Sequence, residues 1–273
     1  MKKREFSMIS AGVVILLLSL WLVFSLHYKH FYEVMLIGLF LILCPLTSKY
    51  FTKRTFVILL LISILGGLVS DLLFGLILGE VWYYNYAHIW EYALLYLLVY
   101  PLGGFVMVMS FLVFIRDYKL KEDKSAPLNI LKMLSILFIV LFAVFIFLKY
   151  AYHLPYSGFF IVTFFCFSLL LCLNYLSEKL FKFSYFRILL SNPQKVITAT
   201  LLGTYINGLL HEYPNLFVDQ WVYQNIIFQG ITLLGVPVAV LIGWIVLTMY
   251  PVSAYYLALM INKKFSKKIK KRH

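Results

Sequence analysis

Apolar runs of membrane-crossing length, separated by short polar intervals, recur from one end of the chain to the other. A helix needs roughly twenty apolar residues to cross the hydrocarbon core of a bilayer. The runs predict eight such helices: Ile9–Leu26, Tyr32–Thr47, Thr55–Gly79, Ile89–Ile115, Leu131–Tyr150, Ser157–Tyr175, Val196–His211 and Gly230–Met260. The second is short and carries Pro45. The last is long and carries Pro237 and Pro251, so it either kinks or finishes as an interfacial helix. The expected fold class is an all-α integral membrane protein of about eight transmembrane helices.

Composition strengthens this picture. Of the 273 residues, 63% are hydrophobic and 13% charged, where a soluble domain carries roughly a quarter charged. The net charge of +13 would suit nucleic acid, but its placement argues against that partner, because the basic residues stand at the ends of apolar runs. With the N-terminus inside, all but Lys29 and Lys149 of the 24 Lys and Arg fall on the inner side, the bias that orients membrane proteins. Both termini are therefore expected in the cytoplasm and the chain in the cell membrane. The first run follows Met1-Lys2-Lys3-Arg4, as in a signal peptide. It is longer than a signal's apolar core and no small-residue cleavage site follows, so it reads as an uncleaved span. The polybasic tail, residues 263–273, is expected on anionic lipid of the inner leaflet. Cys44, Cys166 and Cys172 lie inside apolar runs and read as buried small apolar residues.

A repeat adds organisation. Gly67, Asp71 and Pro101 match Gly203, Asn207 and Pro237 at one offset of 136 residues. The expected layout is a 4+4 parallel tandem repeat, with membrane halves at 1–120 and 121–262 and the tail beyond.

The candidate chemistry gathers on the outer side. Gly67, Asp71, Gly75 and Gly79 are four apart, so they share one side of the third helix. An ionised carboxylate near mid-bilayer costs about 2.5–3.5 kcal/mol on insertion scales. Asp71 should therefore have a partner, water or a proton. On the seventh helix Gly203, Asn207 and His211 share a side, with Thr204, Gly208 and Glu212 on the adjacent one. The outer loops supply Glu80, Trp82, His88, Trp90 and Glu91, then Asp219 and Trp221. The expected site is an outward-facing acidic and aromatic pocket. Asp71 and Asn207 form its floor, Glu91, His211 and Glu212 its mouth, and Trp82, Trp90 and Trp221 surround it, with Glu80, His88 and Asp219 in the adjoining loops.

Acids among aromatic faces suit a small polar or cationic molecule, bound or transported. An alternative is an intramembrane enzyme on an isoprenoid or lipid, with Asp71 as general acid and Glu212 or His211 as base. A second alternative is an accessory subunit that packs against a membrane partner protein. No metal or cofactor is expected. The run His211-Glu212-Tyr213-Pro214-Asn215 has asparagine where a zinc protease has its second histidine.

The stretch SDLLFGLILGEVWYYN (Ser70 onward), followed by VYPLGG, resembles a family of small polytopic membrane proteins of Gram-positive bacteria over about Arg54–Phe111, a likeness that implies no activity. The same stretch, with GVPVAVLIGW from Gly235, is similar to segments of the membrane-bound lycopene cyclase and carotenoid hydratase families. That likeness implies acid chemistry on polyenes through membrane carboxylates, carried here by Asp71 and Glu80. The Pro-x-Glu-Glu motif of those cyclases is absent, because Leu102, Gly103 and Gly104 follow Pro101.

Overall fold

The computed structural model describes residues 3–71, 78, 80–115 and 124–270, with backbone alone for 265–270. The protein is overwhelmingly helical. Among the described residues, seven helices are long and apolar enough to cross a membrane. They are α1 (Lys3–Leu26), α2 (Phe31–Thr47), α3 (Lys53–Ser70), a continuous span made of α4 (Ile89–Leu94), a π-helical turn (Leu95–Val99) and α5 (Tyr100–Ile115), then α6 (Leu128–Tyr152), α7 (Ser157–Phe181) and α10 (Val238–Lys270). Two more complete the set, the short α8 (Tyr185–Ser191) and α9 (Pro193–Asn215).

Helix α9 falls outside the apolar seven, although its 23 residues are length enough. Its polar residues explain both its modest hydropathy and its position. Thr200, Thr204, Asn207, His211 and Glu212 are all buried, so the helix turns them toward α5 and α10. Helix α5 packs on α2, α3, α9 and α10, and α10 packs on α3, α5, α7 and α9. The hairpins α1/α2 and α6/α7 flank this centre. Their lipid-type residues, such as Leu17, Trp21, Met133 and Phe147, remain exposed.

Cross-links place the connecting loops on two opposite faces. On one, Tyr255 donates to the Tyr50 carbonyl at 3.0 Å and Lys124 N–H donates to Ser191 Oγ at 3.1 Å. On the other, His27 Nδ1 lies 3.2 Å from the Phe217 carbonyl, and Lys149 Nζ donates to the Leu78 carbonyl at 2.7 Å. This second face also carries a pairing between segments far apart in the chain: strands β1 (Trp82–Tyr84) and β2 (Trp221–Tyr223) pair antiparallel.

Several predicted boundaries differ: α1 starts earlier, at Lys3, and α7 and α10 end later, at Phe181 and Lys270, than the apolar runs alone suggest. The last span starts at Val238, eight residues later than expected, because β3 (Thr232–Leu233) and β4 (Val236–Pro237) form a small hairpin around Gly235. Gly235 holds φ +80°, a left-handed conformation open to glycine, and Pro237 has no N–H to give a helix interior. Helix α9 continues past His211 to Asn215. The described part of α3 runs to Ser70, with Asp71 in helical geometry after it, and most of the rest of the expected span lies outside the described residues. Gly75 and Gly79 of the expected glycine stripe, the boundary at 120/121 and residues 271–273 of the tail lie outside the described residues.

Candidate functional site

The site is built on the β1–β2 ribbon. Trp82 stands opposite Tyr223 and Tyr84 opposite Trp221. Side chains alternate along a strand, so these four aromatics share the inner side while Tyr83 and Val222 share the outer. Each strand is entered through an acidic residue in the left-handed region, Glu80 and Asp219, both at φ 49°. Asn85 then donates to the Asp219 carbonyl at 2.7 Å, and Asn225 donates to the Glu80 carbonyl at 3.3 Å. Each asparagine thus ties its strand to the turn that leads into the other.

Beneath the ribbon lie two buried carboxyl groups with matching surroundings. Asp71 Oδ1 accepts from Tyr100 Oη at 2.6 Å, Trp82 Nε1 at 3.2 Å and Tyr84 Oη at 3.4 Å. Glu212 accepts from Tyr223 Oη at 2.7 Å and Trp244 Nε1 at 2.8 Å on Oε1, and from Trp221 Nε1 at 3.2 Å on Oε2. In each case the strand following the acid supplies a Trp and a Tyr, and the next helix supplies a third donor. All six donors are neutral. The glycine one turn before each acid makes room for that third donor. A Cβ on Gly67 would run into the Tyr100 ring, and one on Gly208 would stand 3.2 Å from the Trp244 ring. Enclosure pushes the loop phenols Tyr84, Tyr86 and Tyr223 above the ordinary tyrosine value, with Asp71 adding to the effect on Tyr84, Glu33 to that on Tyr86 and Glu212 to that on Tyr223.

A cavity of about 360 Å³ lies under this ribbon between α3, α5, α7 and α10, a size at the lower end of small-molecule sites. Trp82, Tyr84, Trp221, Tyr223, Trp244 and Glu212 form its outer end. Its walls are apolar or small, with Gly66, Gly67, Gly103, Gly104 and Gly243 letting the backbones line it beside Phe159, Val162 and Val240, down to Tyr250 and Pro251. It adjoins a second apolar space that shares Gly66, Ser70, Cys166, Val246, Leu247 and Tyr250 and continues to Leu65 and Val69. Those two leucine and valine side chains are 60% and 38% exposed, so the opening is lateral, in the lipid-type surface between α3 and α7. Lys149 reaches from α6 to the loop before β1, bonded to the Leu78 carbonyl and 3.5 Å from Glu80 Oε2.

The residues expected to form one pocket therefore divide. Trp82, Glu212 and Trp221 line one cavity, while Asp71 lies behind it, reached through Trp82, Tyr84 and Tyr100, and does not line it itself. Asn207 does not meet Asp71: its amide nitrogen donates to Ser110 Oγ at 3.1 Å and to the Gly203 carbonyl at 2.7 Å, and its Oδ1 has no partner. Glu212 takes, relative to β2, the place that Asp71 holds relative to β1. His211 is buried, its Nδ1 on the Asn207 carbonyl and its ring between Tyr32 and Trp244. It does not line the cavity. Asp219 is exposed and acts through its backbone. Cys166, expected merely as packing, lines the cavity.

Glu91 and Trp90 belong to a separate outer cluster centred on His30. His30 Nδ1 lies 3.3 Å from Glu33 and Nε2 3.1 Å from Glu91, with the Trp90 and Tyr86 rings 5.2 and 6.1 Å away. Gln220 donates to Glu33 and to Tyr86. His88 is exposed, caps α4 through its backbone N–H to Glu91, and lays its ring beside Trp90.

Sequence reasoning missed Tyr100, Tyr84, Tyr223 and Trp244 as the donors, saw Glu33 and His30 only as ionisable groups of the outer side, and missed Gln220 altogether. A signal was present. Gly67-Leu68-Val69-Ser70-Asp71 precedes Glu80-x-Trp82-x-Tyr84, and Gly208-Leu209-Leu210-His211-Glu212 precedes Asp219-x-Trp221-x-Tyr223. The two blocks are offset by 141 and 139 residues, so a search at one fixed offset passes over them.

No protein family, no curated protein and no solved structure matches this chain.

Proposed function

We propose that the protein takes a long apolar molecule of lipid or isoprenoid type sideways from the bilayer into the cavity under the ribbon, where Asp71 and Glu212 serve as proton donor and acceptor. The observation that carries this reading is an apolar cavity, open toward the lipid-type surface, that ends at a buried carboxyl group. Helix surfaces that face a bilayer exclude free water and charge, so a ligand using a lateral opening must itself be largely apolar. The Asp71 geometry supports the acid role. Tyr100, Trp82 and Tyr84 donate to Oδ1 and Tyr96 is a further phenol facing the carboxyl, while Oδ2 makes no bond of full hydrogen-bond geometry among the described residues and is the oxygen on which a proton is held or released.

The architecture accompanying this reading has eight spans with α9 as the seventh, both termini cytoplasmic, in the cell membrane, with the tail on anionic lipid. The basic bias of the inner side supports that orientation. A tandem duplication is part of the same proposal, in the register that aligns Asp71 with Glu212.

The test uses Gly243, which lines the cavity and where an added Cβ meets nothing within 4 Å. Organic extracts of the protein purified in mild detergent are compared with those of Gly243→Phe by mass spectrometry. The expected outcome is a long-chain apolar species retained by the parent and lost from the variant. Equal extracts from both proteins sink the proposal. Asp71→Asn and Glu212→Gln should retain the species but leave it chemically unchanged on reconstitution.

The His30–Glu33–Glu91 cluster supports a second reading, recognition of a small organic cation at the outer face by two carboxylates beside Tyr86 and Trp90. A thermal-shift series with organic ammonium ions, parent against Glu91→Gln, tests it. A flat response in the parent removes it.

A further inference from the structure

The helices contain hydroxyls in two different situations. Those of Thr47, Ser135 and Thr163 return to the carbonyl four residues earlier, at 2.7–2.8 Å, the usual local solution in an apolar helix. Thr204 on α9 and Thr248 on α10 do not. Both are buried, 1% and 0% exposed, and neither Oγ1 has a partner among the described residues. Gly208 packs on Trp244, and α9 and α10 run in opposite directions. One turn further along each therefore brings Thr204 level with Thr248. Asn207 lies within a turn of this point, and its orientation is fixed: the nitrogen must face the Gly203 carbonyl, so the bare Oδ1 is a true acceptor without a donor.

His211, one turn outward from Asn207, ends the series. Its Nδ1 is on the Asn207 carbonyl, an acceptor, so Nδ1 carries the proton and Nε2 is a lone-pair acceptor. Nε2 also has no partner. Four buried polar atoms without partners among the described residues thus lie within two turns of α9 and the facing turn of α10, with Ser110 of α5 bonded to Asn207 on the third side. Buried polar groups in folded proteins are nearly always satisfied by protein or by water. A polar site of this kind is where internal water binds, each molecule making two to four bonds. Toward the opposite face the series reaches Thr200, whose Oγ1 is 2.8 Å from Tyr185 Oη.

We propose that this seam is a binding site for a file of internal water molecules, running from Thr200 past Thr204, Thr248 and Asn207 to His211 Nε2. On the functional reading given above, it lets protons reach His211, and through it the Glu212 site, from the face bearing the chain termini. The hydration itself does not depend on that reading.

Water-edited solid-state NMR of the 15N-labelled parent in lipid bilayers tests it, with signals assigned by His211→Gln and Asn207→Leu. The expected result is rapid magnetisation transfer from water to the ring nitrogens of His211 and the side-chain amide of Asn207. In Thr204→Val/Thr248→Val, which keeps shape but removes both hydroxyls, that transfer falls several-fold. No transfer in the parent overturns the proposal. Thermal unfolding gives an independent sign. Removing hydroxyls that hold water lowers Tm, whereas removing hydroxyls buried dry and unpaired raises it, so an unchanged or raised Tm in both single valine variants also overturns it. Retained water with no lipid in the extracts would leave this site standing and the proposed function fallen.

Discussion

Two glycines show how tightly the acids are framed. A Cβ on Gly67 would overlap the body of the Tyr100 ring, whereas one on Gly208 would sit tightly, at 3.2 Å, against the Trp244 ring, which a shift of a few tenths of an ångström relieves. Gly67→Ala should therefore destabilise by about 1–3 kcal/mol, as overpacking does, and Gly208→Ala by distinctly less, measured by thermal unfolding of both proteins in one detergent. Tyr100→Phe keeps the ring but removes the shortest bond to Asp71, and should cost about 1–3 kcal/mol by the same measurement. At this scale the sequence was half legible. Asp71 stood out because an acid in an apolar run must be accommodated. Tyr100 did not, because one tyrosine at a membrane boundary is indistinguishable from the ordinary aromatic belt. Asn207 attracted attention for its offset from Asp71, but its amide is used by Ser110, a partner 97 residues away that no local pattern announces.

The ribbon is the smallest element and the most consequential. Tyr83 and Val222 form a directly opposed pair, flanked by the bonds Gln224 N–H to Val81 carbonyl and Asn85 N–H to Gln220 carbonyl. Bonded pairs alternate along an antiparallel ladder, so the Val222 N–H lies in the ladder and Val222→Pro removes it. We expect that variant to loosen Trp82 and Trp221 from their acids, seen as a red-shifted tryptophan emission against Val222→Thr. Alkaline pH should reach the same element. Tyr84, Tyr86 and Tyr223 are held protonated above the ordinary tyrosine value of about 10. A raised folded-state value means stability fully present below pH ~10, declining once unfolded tyrosines ionise and lost as pH climbs through the folded values. Tm should therefore fall from about pH 10 upward, and Tyr86→Phe should flatten that decline. Helix α9 was found in the sequence despite its polar residues, but the hairpin before Val238 was not. An apolar run of Leu and Val reads alike whether it turns outside a helix or continues inside one, and only the Gly235–Pro237 pair hinted at the break.

For the molecule as a whole, the alternation of apolar runs carried most of the architecture, because each run must satisfy its own backbone in lipid as a helix. The opening between α3 and α7 was invisible, since it arises from where helices fail to touch. The separation of the outer acids into two clusters was equally hidden, being decided by His30, distant in sequence from Glu91. A further consequence follows from the way the two carboxyl groups hang from one pair of strands. Each acid holds the Trp and Tyr of its own strand, while the strands hold each other. Neither acid can release its aromatics without slackening the grip of the other, as two tenants share one beam. Asp71→Asn and Glu212→Gln combined should therefore cost less than the two separate losses added together, a coupling that a double-mutant cycle reads directly. Whatever disturbs one strand of this ribbon is in that way already announced to the other.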